Sequence, residues 1–312
     1  METIDLAKTG RRTTQLGFGC AYLLPETARL LDVAYDAGIR HFDVARAYGR
    51  GLTEGLVGKF LKRHGDDVTI TTKYGIKPPF NHPIQGLART LLRPLVKRLR
   101  RAPAMDRRIT QSIGSMYDKA AFTAQDAAAS LQVSLRNLGR DRIDLFLMHE
   151  ADVDDLGDEG LARFLADRVD RGVIGAFGVG GESDRVQRLL LQRPAYGDVM
   201  QFDWTALDPS VAEGGEFSIR YRVAATQNPA VARLLGASRA QLDIWSSQID
   251  DDLAAPGRVQ SLLLKAALVL KPQDLILISS TNPAHIAANV QTAGDASLVA
   301  PAFRLVELAK GL

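Results

Sequence analysis

Eight short apolar stretches recur along this chain, and between most of them the apolar residues change to helical spacing. The stretches cover residues 14–20, 40–43, 68–73, 143–149, 174–179, 198–202, 218–223 and 275–279. Helical patterns separate them: one opens at Pro25, repeats through Leu30, Leu31, Val33 and Ala34 and ends at Ala37-Gly38, and others run over 53–61, 123–138, 183–192 and 258–270. Alternation of this kind implies a parallel sheet, because parallel neighbours need a long crossover that a helix supplies. Eight units in one unbroken array favour closure, so the expectation is a single α/β domain over residues 1–312, a (β/α)8 TIM barrel. An N-terminal hairpin is expected over 3–13, where Ile4 and Leu6 alternate with polar neighbours and Lys8-Thr9-Gly10 supplies the turn. Helix ends are marked locally. Asp126 falls in the first turn of the 123–138 pattern and Gly139 follows it, while Asn282 and Pro283 stand at the N-cap and N1 positions of a helix over 283–290.

Residues 76–120 interrupt this regularity as a long insertion after the third strand. A basic amphipathic helix is expected in it around 87–99. Between Arg89 and Arg108 eight basic residues face Asp106 alone; the segment carries +7 of a chain whose net charge is +3, which leaves −4 for the remainder. It holds no aromatic residue on which a base could stack, so nucleic acid is not an expected partner. A solvated surface, attraction of an anionic substrate, and contact with an acidic partner or membrane surface all remain open. Its place after a barrel strand puts it at the catalytic mouth. The one cysteine, Cys20, precludes an internal disulfide, no run approaches the ~20 apolar residues that span a bilayer, and the N-terminus lacks a secretory pattern, so a cytoplasmic location is expected. His41, His64 and His82 show no metal-ligand spacing, and no metal is expected.

Three strand ends carry groups suited to moving a proton. Asp43 closes the second strand with Tyr48 five residues on, Lys73 closes the third and His149 closes the fourth. Strand C-termini converge on one face of a parallel barrel, so these four side chains can meet there. A free phenol titrates near pH ~10, too high for an effective acid at neutrality, and a neighbouring ammonium lowers that value. Lys73 is placed to do this, with Asp43 keeping it charged. Tyr48 then delivers a proton to a developing alkoxide while His149 orients the same oxygen. Such an arrangement suits carbonyl reduction.

Gly17-Phe18-Gly19, Asp43-x4-Tyr48, Thr72-Lys73 and Met148-His149 together resemble the aldo-keto reductase superfamily. The likeness runs over nearly the whole chain, including the hairpin, the segment 260–265 and the segment 277–289. It implies the roles just given for Asp43, Tyr48, Lys73 and His149, and a nicotinamide dinucleotide lying across the barrel mouth. It also implies that Gln201 holds the nicotinamide carboxamide, that Tyr221 stacks on the ring and that Asn289 contacts adenine. Gly180 and Gly181 stand where the family usually has Ser-Asn, so those side-chain contacts are absent or replaced by backbone. Ser279 and His285 replace the basic residues that commonly hold the 2′-phosphate, while Ser280, Thr281 and Asn282 with the following helix N-terminus retain phosphate-binding groups. NADP(H) is the preferred expectation, with NAD(H) also compatible. The substrate implied is a small carbonyl compound or sugar-like alcohol, and the oligomeric state is left open. Two competing classes share these residues: a nucleotide-binding regulatory or redox-sensing barrel with little turnover, and a lyase or dehydratase using the Tyr48–Lys73 pair.

Overall fold

The computed structural model describes residues 1–78, 118–208 and 215–311. The arginine-rich part of the insertion, with the helix expected around 87–99, lies outside the described residues. The hairpin consists of β1 (Thr3–Asp5) and β2 (Arg12–Thr14), antiparallel with Ile4 opposite Thr13. Eight parallel strands follow: β3 (Leu16–Gly19), β4 (His41–Asp43), β5 (Thr69–Tyr74), β6 (Ile143–His149), β7 (Ile174–Gly181), β8 (Val199–Asp203), β9 (Phe217–Tyr221) and β10 (Leu275–Ile278). They pair in chain order, and β10 closes on β3 to complete the barrel. The architecture is the (β/α)8 barrel expected from the alternation.

Around it lie α1 (Leu30–Asp36), α2 (Thr53–His64), α3 (Ala124–Leu138), α4 (Glu159–Asp170), α5 (Ser183–Gln192), α6 (Pro229–Leu235), α7 (Arg239–Ile249), α8 (Arg258–Leu270), α9 (Pro283–Gly294) and α10 (Val299–Ala309). The caps read from the sequence are present. Thr123 Oγ1 accepts from Asp126 N, Gly139 takes the left-handed conformation at φ 63°, and the Asn282 side chain accepts from Ala284 N ahead of Pro283. One start differs. The helix expected to open at Pro25 is a single 3-10 turn over Pro25–Thr27, and α1 begins at Leu30. The Thr27 hydroxyl bonds both the N–H and the C=O of Leu24, a local turn that competes with helix propagation.

Side-chain alternation along the strands divides the apolar residues between two layers. Leu145, Leu147, Ala176, Val199, Ile219, Leu275 and Leu277 share one cluster with Ile4 and Leu6, so the hairpin seals the interior at the start of the strands. The alternate residues, among them Phe18, Phe42, Ile70, Phe146 and Met200, pack outward against the helices. A further cluster joins α6, α7, α8 and α10 through Leu234, Trp245, Leu263 and Leu305. Gly17 has a steric reason to lack a side chain, since a Cβ there would lie 2.8 Å from Leu277 Cδ2 and 3.2 Å from the His41 ring.

The interior is not wholly apolar. His41 is fully buried; its Nδ1 lies 3.0 Å from Thr69 Oγ1 and its Nε2 3.0 Å from Thr71 Oγ1, and Thr69 Oγ1 donates to Thr13 Oγ1 of the hairpin at 2.8 Å. Burial, with the Lys73 ammonium adding to it, lowers the His41 pKa to about 3, so the ring is neutral in the folded protein. The unfolded chain takes up a proton below pH ~6.5 and the folded one does not, so stability is complete above that pH and declines as pH falls toward 3. For His41→Asn, the stability lost between pH 7.5 and pH 5.0, measured by urea unfolding, should be smaller than in the parent by about 2 kcal/mol. Equal losses in the two proteins would mean that His41 is not held neutral.

Candidate active site

The chain leaves β4 along the end of β5. Val44 N donates to Thr71 O at 2.8 Å and Arg46 N to Lys73 O at 3.2 Å, so the loop continues the strand pairing past Asp43. Tyr48 then opens a 3-10 turn over Tyr48–Gly51 in which Gly49, Arg50 and Gly51 all have positive φ. A Cβ at Gly49 would lie 2.3 Å from Thr53 Oγ1 and 2.8 Å from Leu23 O, so glycine is required immediately after the tyrosine. This turn directs the Tyr48 phenol back over the barrel mouth.

Asp43, Tyr48, Lys73 and His149 are brought together there. Lys73 Nζ donates to Asp43 Oδ1 at 2.5 Å, to Val44 O at 3.2 Å and to the Tyr48 hydroxyl at 3.2 Å. Asp43 and Lys73 are each 2% exposed. The second carboxylate oxygen, Asp43 Oδ2, accepts from Gln201 Nε2 at 3.0 Å. The His149 ring meets that of Tyr48 edge to face, with centroids 5.8 Å apart. Across the mouth His149, Gly180 and Gln201 pair as direct neighbours on β6, β7 and β8.

Burial sets the electrostatics of this group. It opposes the charge on Lys73, but the Asp43 carboxylate and the Tyr48 hydroxyl more than restore it, and the ammonium is held above its ordinary value. Burial also raises the Asp43 carboxyl, with Lys73 and Gln201 acting against it. With two donors on its oxygens, one of them an ammonium at 2.5 Å, the carboxylate form is the one this geometry stabilises. Burial and the Lys73 charge lower the His149 pKa to about 3, so the imidazole is neutral. For Tyr48 the net direction is upward: burial outweighs the pull of Lys73, so the lowering expected from the ammonium alone is overridden. The phenol is therefore protonated at neutral pH, and the ammonium moderates the shift.

Of the other residues named from the sequence, Gly180, Gln201 and Tyr221 lie in the C-terminal parts of β7, β8 and β9, Ser279 follows β10, and His285 and Asn289 stand on α9. Gln201 Oε1 is buried without a hydrogen-bond partner among the described residues, and a Cβ on Gly180 would sit 3.3 Å from it. The Tyr221 hydroxyl donates to Gly181 O at 3.0 Å, and burial raises its pKa. Ser279 Oγ donates to Gly19 O at 3.0 Å, tying the end of β10 to β3. Asn282 N donates to Ser280 Oγ at 3.0 Å, and the Asn282 side chain caps α9. Thr281 and His285 are exposed and Asn289 is half-buried. Two features had no signal in the sequence. The Gln201–Asp43 bond joins residues 158 positions apart, and Glu150, beside Gly181, pairs with Arg185 at 2.6 Å.

Residues 16–214 match the model of the aldo/keto reductase family. D-threo-aldose 1-dehydrogenase of Pseudomonas sp is 32% identical over 189 residues, which is 56% of this chain and 52% of that protein. Pyridoxal 4-dehydrogenase of Microbacterium luteolum is 37% identical over 78 residues, 22% of this chain and 23% of that protein. The chain thus spans about half the length of the first of these relatives and less of the second. Among solved structures, an aldo-keto reductase from Bacillus halodurans superposes with a TM-score of 0.65 at 20% identity, covering 98% of this chain and 96% of that one. One from Brucella melitensis gives 0.61 at 16% identity, covering 97% of each. These two likenesses bear on the fold; the family match covers well over half of the chain, and the protein belongs to the aldo/keto reductase family, whose named relatives here are oxidoreductases.

Proposed function

We propose that the protein interconverts a small carbonyl compound and its alcohol, sugar-like or aromatic, with a nicotinamide dinucleotide as redox partner and Tyr48 as the proton carrier. The reading rests on one observation: Lys73 is held between Asp43 and Tyr48 in the barrel mouth, with neutral His149 against the phenol. The names of the relatives, an aldose 1-dehydrogenase and a pyridoxal 4-dehydrogenase, support the substrate class.

The residues present fit the nicotinamide end of such a cofactor. An unpaired buried acceptor is costly, and among the described residues Gln201 Oε1 is one; a carboxamide N–H would supply the missing donor. Gly180 and Gly181 add no side chain between β6 and β8 that would fill this space. When bound, the dinucleotide supplies hydride for reduction or takes it up in oxidation.

The protein's part is positional and electrostatic. In reduction Tyr48 gives its proton to the substrate oxygen as negative charge develops there. Lys73 then stabilises the phenolate left behind, and Asp43 keeps the ammonium charged and aimed. Neutral His149 donates a ring N–H to the same oxygen, and with its pKa at about 3 it does not compete as the proton source. Since burial holds the Tyr48 phenol above its ordinary value, reduction finds it protonated at neutral pH, whereas oxidation needs it as a base and gains as pH rises.

Tyr48→Phe should lower turnover of a carbonyl substrate by about 10²- to 10⁴-fold. NADPH affinity, read from quenching of Trp204 and Trp245 fluorescence, should stay within about threefold. Retained turnover would remove Tyr48 from the acid role. The cofactor's 2′ group allows a second measurement. No Lys or Arg occurs between Ser279 and Asn289, and the side chains of Ser279 and Asn282 are engaged within the protein. The dissociation constants for NADH and NADPH should therefore agree within about tenfold. A hundredfold preference for NADPH would show that a cation elsewhere holds the 2′-phosphate.

A further inference from the structure

Behind the Asp43–Lys73 pair, on the helix side of the barrel wall, a second buried carboxylate joins the segments that carry the proposed proton carrier and its ammonium. Glu54, in the first turn of α2, is 1% exposed. Its Oε1 accepts from Thr72 Oγ1 at 2.8 Å, and its Oε2 accepts from Arg46 Nη1 at 3.0 Å and from Asn137 Nδ2 at 3.0 Å. Thr72 precedes Lys73 on β5. Arg46 lies between Asp43 and Tyr48, and Asn137 stands in the last turn of α3. One carboxylate therefore binds the wall, the loop and two helices.

The junction has little slack. A Cβ on Gly58 of α2 would lie 2.1 Å from Asn137 O, so the two helices are already at backbone contact beside it. Successive residues of β5 point to opposite faces, so Thr72 is held from outside by Glu54 while Lys73 is held from inside by Asp43. The Tyr48 hydroxyl, by contrast, has one hydrogen-bond partner among the described residues, Lys73 Nζ at 3.2 Å. That contact is long, so the path of the loop decides how near the phenol comes. The loop is held by Arg46 twice, through its N–H to Lys73 O and through its guanidinium to Glu54.

We propose that Glu54 is a positioning residue for the Tyr48–Lys73 contact, acting through Arg46 on the loop and through Thr72 on the strand. This rests on the reading of Tyr48 as the proton carrier. A buried carboxylate held by three donors fixes those donors more firmly than a neutral side chain does, because any of them that leaves exposes an incompletely compensated charge. Glu54→Gln removes the charge that holds Arg46. Thr72→Val removes one donor and keeps the branched strand residue.

Both variants should fold, with near-ultraviolet circular dichroism like that of the parent. In Glu54→Gln, kcat should fall by about 10- to 100-fold, the scale expected when a reacting group is displaced by about 1 Å. KM and NADPH affinity should change by less than about threefold. The limb of the kcat–pH profile that reports Tyr48 should move to higher pH, because Lys73 lowers the phenol and does so less from farther away. Thr72→Val should show the same signature in smaller degree, and it decides the matter alone if Glu54→Gln does not fold. Reduced stability with kcat and the Tyr48 limb unmoved would make the junction purely structural and overturn the proposal. Tyr48→Phe measured alongside separates the two ideas. If Tyr48→Phe keeps its turnover, the proton-carrier reading fails and the positioning proposal with it; if it collapses while the two junction variants behave as the parent, only the positioning proposal fails.

Discussion

The buried contact between Lys73 and Asp43 is the interaction on which the barrel mouth depends. Each side chain is 2% exposed, and a charge in that setting is tolerated only with its partner and further hydrogen bonds in place. Asp43 has both oxygens engaged, by Lys73 and by Gln201, and Lys73 has Val44 O and the Tyr48 hydroxyl as well. Breaking a buried pair by removing one partner typically costs about 3–5 kcal/mol, so this contact ties β4, β5 and β8 into one arrangement. The same demand for pairing puts the ammonium beside the phenol.

Closure of the sheet makes this possible. β4, β5 and β6 are neighbours, so the ends of three successive strands deliver Asp43, Lys73 and His149 to one rim, and the loop after β4 folds Tyr48 over them. The apolar interior below, sealed by Ile4 and Leu6, keeps solvent from the strand starts. His41 with its threonine partners forms a neutral polar layer between that floor and the charged rim. Outside the wall, Glu54 gathers Thr72, Arg46 and Asn137, so both faces of β5 are fixed at adjacent residues.

Much of this was legible before any coordinates. Eight strands in sequence order, the hairpin, the caps at Gly139 and Asn282, and the termination of strands at Asp43 and His149 follow from local patterns that act within a few residues. The helix expected from Pro25 begins instead at Leu30, because the Thr27 hydroxyl makes a turn with Leu24 that the apolar periodicity does not record. Gln201 is marked in the sequence by resemblance alone. Its bond to Asp43 depends on which residues face each other across a closed barrel, and no local pattern carries that information.

By itself the sequence determined the order and type of the elements, the residues at each strand end, and which side chains alternate toward the interior, because periodicity and capping are properties of short segments. The tertiary structure decided what those side chains experience. Tyr48 shows the difference: from the chain alone Lys73 should lower its pKa, yet in the folded protein burial outweighs the ammonium and the phenol is raised. Glu54 shows it again, as an ordinary first-turn helix acid in the sequence and a nearly inaccessible carboxylate with three donors in the fold. Desolvation and long-range register arise only when the barrel closes and its helices pack against it, so neither is written in any single stretch of the chain.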